Sequence, residues 1–386
     1  MLPTAGSPDS TPAVSAALRL AFYVVLGALA LLEVFVRFRG LKSAAGMEQA
    51  ELARGVARGP GWVTECFRPG AWRQMLDAQP QGVDLERFPD TGSAPLPALL
   101  LAPWFKLAEP WWDYQPSQKG VVYTLDRIVA AQGVLLLLGM IYLLHGLALR
   151  LFDARVAVLA ALGTGLCKPL WELAVSGSPR LLLGFLLVAA LRLLWSVLDR
   201  AGRGLSAGGL LAWLGVVLAA LPLSHGLGLV WTVVLLAGAG FGLARVEKSA
   251  AGRARAAVLL LAPLLLAMLW WLWRNHQVTG DVLGASRVTL RGLISGAGEE
   301  AVARRFSGAA ENVELPAVLR GGGVRLAGQL EGIYGHLAMM LAAPLALLAW
   351  LHRFRNPVTQ LFSALTALLL GLGMAAMALT APVQKL

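Results

Sequence analysis

Long apolar blocks alternate with short polar turns along most of this chain. A helix that crosses the hydrocarbon of a bilayer needs about 20 predominantly apolar residues. By that measure nine blocks qualify as spans: residues 14–36, 128–149, 156–174, 181–198, 209–223, 227–243, 256–273, 334–351 and 361–381. Each reads as one continuous helix, so the pattern predicts an all-α polytopic membrane protein, about nine transmembrane helices in a single domain over residues 1–386. Residues 1–13, rich in Ser, Thr and Pro, read as a tail. The first block is longer than a signal-peptide core and no small-residue cleavage site precedes RFRGLK, so it is expected to be a retained anchor helix.

Two stretches break the pattern, residues 37–127 and 276–331. In the first, Met47, Leu52 and Val56 recur at helical spacing with Glu48, Glu51, Arg54 and Arg58 on the other faces, which predicts a short helix lying on the membrane surface. Gly59-Pro60-Gly61 should stop it. A proline-punctuated run over residues 87–107 follows, too short to span. The second stretch is glycine-rich, carries both signs of charge, and is expected to hold a short helix or two.

Composition narrows the class. With 57% hydrophobic and 14% charged residues and a mean hydropathy of +0.66, a water-soluble enzyme is excluded. The net charge of +11 would suggest nucleic acid in a soluble protein, but the basic residues sit in the turns, where they orient helices against an anionic membrane face. The lipid bilayer is therefore the expected partner, and nucleic acid is not. Ten basic residues mark one set of turns: Arg150, Arg155, Arg200, Arg203, Arg245, Lys248, Arg253, Arg255, Arg353 and Arg355. The short turns opposite offer Arg180 and His225. The positive-inside rule then puts the N-terminus in the cytoplasm and both long loops outside, as in a multi-pass protein of a bacterial inner membrane. Cys66 and Cys167 are too few and too separated for a disulfide framework or zinc site, and are expected to behave as small buried hydrophobes.

Chemistry should lie in the outer loops. Glu48, Glu51, Asp90 and Asp113 are the outer carboxylates, and Arg54, Arg127 and Arg274 the outer cations able to grip a phosphate, unless they simply snorkel at helix ends. Lys168 and Glu172, four apart in the third block, are expected to pair. His225 follows Ser224, but no Asp or glycine-rich elbow accompanies them as a nucleophile would need. P-loop, dinucleotide, H-E-x-x-H and C-x-x-C patterns are missing, so the cofactor is unknown, with a divalent metal left open.

Several residues resemble motifs of the multi-spanning class C (GT-C) glycosyltransferases, similar to the aminoarabinose and protein-mannosyl transferases that take sugar from a polyprenyl-phosphate carrier. Glu48, Ala53, Arg54, Gly59 and Gly61 fall in the pattern of that family's first outer helix; Pro95, Leu96 and Pro97 match its proline-rich run; Trp271, Arg274, Asn275, Thr279 and Gly280 match its W-x-x-R-N-x-x-x-T-G junction. The resemblance implies a membrane transferase that moves a sugar from a polyprenyl-phosphate-linked donor to an acceptor in the cell envelope. Glu48 would be the base with Asp90 as rival, and Arg54, Arg127, His225, Arg274 and Asn275 would bind substrate, Glu48 and Arg274 sharing one outer cavity. Departures carry a second expectation, a non-catalytic subunit for binding or assembly: the family's Asp is Ala45 here, its Tyr is Gln49, His225 replaces an Arg, and the chain ends soon after the ninth block. A transporter is the third reading and has the least behind it, since the spans are nearly free of charge.

Overall fold

The computed structural model describes residues 12–59, 61–66, 68–78, 82–109, 124–286, 315–334, 344, 346–352, 354 and 356–380. Asp113, Arg353, Arg355 and most of the expected eighth span lie outside them. The described chain is all-helical, with a single isolated pairing of extended backbone between Val63 and Pro89.

Among the described residues six helices are long and apolar enough to cross a membrane. They are α1 (Pro12–Leu31), continued by a wider π-helical stretch Leu32–Arg37, then α5 (Thr124–Leu151), α8 (Arg180–Gly202), α10 (Leu227–Val246), α11 (Ala250–Thr279) and α13 (Pro357–Thr380). Between them lie α2 (Ala44–Arg58), α3 (Pro69–Ala78), α4 (Pro95–Ala108), α6 (Ala154–Gly165), α7 (Lys168–Val175), α9 (Gly208–Ser224) and α12 (Leu315–Tyr334).

The expected count of nine is not reached among the described residues, and two blocks show why. Residues 156–174 do not form one helix: α6 and α7 meet at a 54° bend and make at most a seventh, broken span. Pro169 sits in the first turn of α7; it has no N–H to give the Gly165 carbonyl four positions back and its ring would crowd that carbonyl in a continuous helix, so the chain breaks at residues 166–167. Trp171 closes the corner by donating its indole N–H to the Gly165 carbonyl at 2.7 Å. The block at 209–223 is helical, but its 17 residues give α9 a length of about 25 Å, short of the ~30 Å hydrocarbon core.

Three apolar clusters hold the bundle. The largest joins α8, α9, α10, α11 and α13 through residues such as Leu194, Leu214, Leu218, Leu235 and Leu365. The second packs α2 and α4 on the start of α5 around Leu52, Ala53, Phe105 and Leu125. The third gathers α1, α5, α6 and α7 around Leu137, Ile141 and Trp171. Within lipid, helices gain little from apolar burial and depend on close approach at small residues. A Cβ on Gly133 would stand 1.9 Å from the Ala174 carbonyl oxygen, so α5 and α7 touch backbone to backbone.

α2 is the predicted amphipathic helix, started by the Ser43 hydroxyl accepting from Gly46 N and ended at Gly59 with φ +102°. Its buried face differs from the prediction. Met47 is 51% exposed, whereas Leu52, Ala50, Ala53 and Gln49 are buried against α4 and the 176–177 turn. α2 is thus a packed element of the protein, not one that rests its apolar stripe on lipid alone. α12, in the second polar stretch, lies along α13, where Arg325 donates to the Ala378 and Leu379 carbonyls at the end of that helix. Those carbonyls have no partner inside their own helix, so Arg325 both bonds them and meets the negative end of the dipole.

The starts of α5 and α8 and the ends of α9 and α11 share one end of the bundle with α2, α3 and α4. The basic turns lie at the other end, where Thr359 at the start of α13 donates to the Leu151 carbonyl at the end of α5.

Candidate functional site

The loop after α2 turns back at Gly59 and Gly61 and lies on α2 at Gly55, where a Cβ would meet the carbonyls of Val63 and Gly61 at 3.1 and 3.2 Å. Glu51 secures it, its carboxylate accepting from the Thr64 hydroxyl at 3.2 Å and from Glu65 N. Residues 62–64 then pair with 88–90: Thr64 N donates to the Phe88 carbonyl at 2.8 Å and Asp90 N to the Trp62 carbonyl at 3.1 Å. This short pairing fixes Asp90, which is 5% exposed.

The Asp90 carboxylate is half satisfied. Oδ1 accepts from Gly92 N at 2.9 Å and Ser93 N at 3.3 Å, while buried Oδ2 has no hydrogen-bond partner among the described residues. The buried indole N–H of Trp62 also has no partner among them. An unmade hydrogen bond at a buried polar group costs about 1–3 kcal/mol, so two such atoms in one loop pair single it out.

Two arginines flank this carboxylate. Arg68 donates through Nη2 to Glu48 Oε2 and lays Nη1 against Gly92, where a side chain would collide with it at 2.6 Å. Burial alone would lower the Arg68 pKa, but the carboxylates of Asp90 and Glu48 outweigh it and raise the guanidinium above its usual value. Arg68 is therefore a fixed cation. Arg274, in the last turns of α11, lies 4.9 Å over the Trp271 ring and 6.0 Å from that of Trp62, donates to the Trp62 carbonyl at 3.4 Å and to Asn275 Oδ1 at 3.3 Å, and is within reach of the Asp90 charge. The two indoles meet edge to face at 5.8 Å. Charges thus alternate along one rim: Glu48, Arg68, Asp90, Arg274.

The segment after α11 closes the rim. Ala285 N donates to the Thr91 hydroxyl and the Ser286 hydroxyl to the Gly92 carbonyl, each at 3.3 Å. Gly284, at φ +55°, packs against Thr91 and Asn275 where a Cβ would not fit. Ala71, Met75, Phe88 and Ala285 form a small apolar core beneath. Asn275 and Thr279 are buried, and the Thr279 hydroxyl donates to the Asn275 carbonyl at 2.8 Å. Trp270 and Trp273 are exposed on the outside of the same turns, and Trp is the residue type enriched at headgroup boundaries.

Glu48, Asp90, Arg274 and Asn275 therefore come together, with Glu48 and Arg274 at the two ends of the rim. The cavity of about 40 Å3 beneath α2 is a separate feature, lined by Gln49, Gln132 and Ser178 among others. The other candidates lie elsewhere. Arg54, six positions after Glu48 and so turned well away on the helix, is close enough to Asp126 at the start of α5 for their charges to interact. Arg127 is beside Asp126 with a buried Nε that has no partner among the described residues. His225 caps the turn into α10, its Nδ1 accepting from Leu227 N at 3.1 Å, and burial followed by the Arg180 charge pushes its pKa down. Lys168 and Glu172 pair at 3.4 Å, both well exposed. Of the cysteines, Cys167 is buried as expected; Cys66 is exposed, with burial of its thiol and the nearby Glu48 pushing its pKa up. Both are free thiols.

Sequence reasoning missed Arg68 and Trp62. Arg68 stands before Pro69-Gly70, a loop signal with no periodic partner, and only its charge opposite Glu48 could have suggested it. Trp62 is more than half the chain away from Trp271 in sequence, and no local pattern links them. Among the described residues no three His, Cys, Asp or Glu side chains are grouped as a metal centre would need. Comparison with protein-family models, curated proteins and solved structures finds no match.

Proposed function

We propose that this protein is a membrane glycosyltransferase that moves a sugar from a polyprenyl-phosphate carrier to an acceptor hydroxyl outside the cytoplasm. The observation that carries the reading is the buried Asp90 carboxylate, one oxygen held by backbone amides and the other without a hydrogen-bond partner among the described residues, between Arg68 and Arg274. In this scheme Asp90 Oδ2 accepts the proton of the acceptor hydroxyl as its oxygen bonds to the sugar's anomeric carbon. The bond from that carbon to the carrier phosphate breaks, and the phosphate leaves with the electron pair, stabilised by Arg274 and Arg68. Glu48 takes the supporting role of holding Arg68, so the base passes from Glu48 to its rival. The lipid tail of the carrier keeps its phosphate at the headgroup boundary, the level that Trp270 and Trp273 suggest for Arg274. The basic turns then face the cytoplasm of a bacterial cell, with the N-terminus on that side.

A second reading, a non-catalytic binding or assembly subunit of the same architecture, is favoured by Ala45 and by the capture of Glu48 by Arg68. The full chain in nanodiscs, given a polyprenyl-phosphate sugar and assayed for released polyprenyl phosphate, separates the two. Catalysis predicts turnover that falls about 10²–10⁴-fold in Asp90→Asn, the usual worth of a general base, and about a hundredfold or more in Arg274→Ala. Donor binding without turnover, unchanged in Asp90→Asn, establishes the second reading and ends the first.

A further inference from the structure

At the end of the bundle remote from Asp90, two arginines converge on one hydroxyl. Arg150, in the last turn of α5, and Arg192, on α8, each donate through Nη1 to Ser196 Oγ at 3.2 Å, so the two nitrogens are no more than about 6.4 Å apart. The Ser196 hydroxyl donates to the Arg192 carbonyl at 3.1 Å. Arg150 also lies 4.7 Å over the Trp195 ring. α5 and α8 run side by side in the same direction, and Gly146 leaves room for the Arg192 guanidinium, which would stand 3.4 Å from a Cβ there.

No carboxylate answers these charges among the described residues. The nearest acids in sequence are occupied: Asp153 accepts from Val156 N at 2.9 Å, and Asp199 pairs with Arg203 at 2.8 Å. One arginine near a helix end needs no ligand, because it can snorkel to water. Arg150 is exposed and Arg192 half-buried, and two guanidiniums drawn to one oxygen repel each other unless an anion lies between them. The surrounding surface is apolar and open to the side, with Tyr142, Leu149 and Phe152 exposed. An anion reaching this place from the membrane would bring a lipid tail to cover it.

We propose that Arg150, Arg192, Ser196 and Trp195 form a binding site for the phosphate of an anionic phospholipid in the leaflet at the basic end of the bundle. The guanidiniums clamp the phosphate oxygens, as Arg does in paired fashion, and the Trp195 ring backs the clamp at the boundary of the hydrocarbon. This site does not depend on the transferase reading, since it lies at the opposite end of the molecule and uses none of its residues.

The test uses the full chain in nanodiscs of phosphatidylcholine with or without phosphatidylglycerol, read by thermal stability and by native mass spectrometry of retained lipid. Wild type should gain stability with phosphatidylglycerol and retain it preferentially. Arg150→Gln with Arg192→Met should lower that preference by on the order of tenfold or more. Arg155→Gln with Arg253→Gln, which removes as much charge from the same end, should leave most of it. In pure phosphatidylcholine, Arg192→Met should be as stable as wild type or more so, because it relieves the repulsion. Equal losses in the two double variants would reduce the effect to general surface charge and overturn the site. A matching gain with inorganic phosphate in pure phosphatidylcholine would assign the site to a free anion and overturn the lipid. If the Arg150/Arg192 variant fails to fold, retention by wild type decides: equal retention of the two lipids sinks the proposal.

Discussion

Replacing Arg68 by Met removes the cation that ties α2 to the loop carrying Asp90. Its ion pair with Glu48 is neither surface nor core: the Arg68 and Glu48 side chains are 20% and 28% exposed. Exposed pairs are worth about 0.2–1 kcal/mol, and breaking a fully buried pair by removing one partner costs about 3–5 kcal/mol. An intermediate burial sets the Glu48 part at about 1–2 kcal/mol. Asp90, buried with one oxygen already unpartnered, also loses a neighbouring cation, which brings the expected loss to about 2–3 kcal/mol. Chemical unfolding of the purified protein in detergent measures the loss, and a cycle with Glu48→Gln isolates the pair, with an expected coupling of about 1–2 kcal/mol. The excess of the Arg68→Met loss over that coupling is the share owed to Asp90. A loss under about 0.5 kcal/mol together with strict additivity would show that solvent screens the pair and that Arg68 does not organise the rim.

Other consequences are independent of that pair. Because burial and Arg180 hold the His225 pKa below its ordinary 6.5, the folded state favours the neutral ring; the stability this confers is complete above about pH 6.5 and is lost as pH falls from there through the folded pKa. Melting temperature followed against pH should therefore fall more steeply below pH 6.5 for wild type than for His225→Gln. Gly133→Ala should cost about 1–3 kcal/mol or more by forcing α5 from the Ala174 carbonyl, seen as a lower unfolding midpoint, whereas Gly163→Ala, with open space around it, should cost nothing measurable. Lys168→Gln should change stability by less than about 0.5 kcal/mol, since its pair with Glu172 is solvent-exposed. A larger effect in the same unfolding assay would mean that the bend between α6 and α7 depends on that pair.

The class of this protein is set by local composition. Apolar runs long enough to cross a bilayer dictate helices there, because in lipid the backbone must satisfy its own hydrogen bonds within each segment. The same holds for α2, whose start and stop were legible from periodicity and from Gly59. Pro169 carried the break between α6 and α7 in plain view, but the apolar run on both sides of it reads as continuous. Which face of α2 is buried was not legible: Met47 is the more apolar choice, yet Gln49 goes inside, where its amide donates to the Ala94 carbonyl just before α4 at 3.2 Å. The rim is divided in the same way. Glu48, Asp90 and Arg274 could be named from the sequence as outer charges, but their order along the rim depends on Arg68, on the pairing of residues 62–64 with 88–90, and on the Trp62–Trp271 contact. Periodicity reports which side of a helix is apolar. It carries no information on which charges from separate loops will meet, and that was decided only when packing brought the end of α11 against the loops around α3.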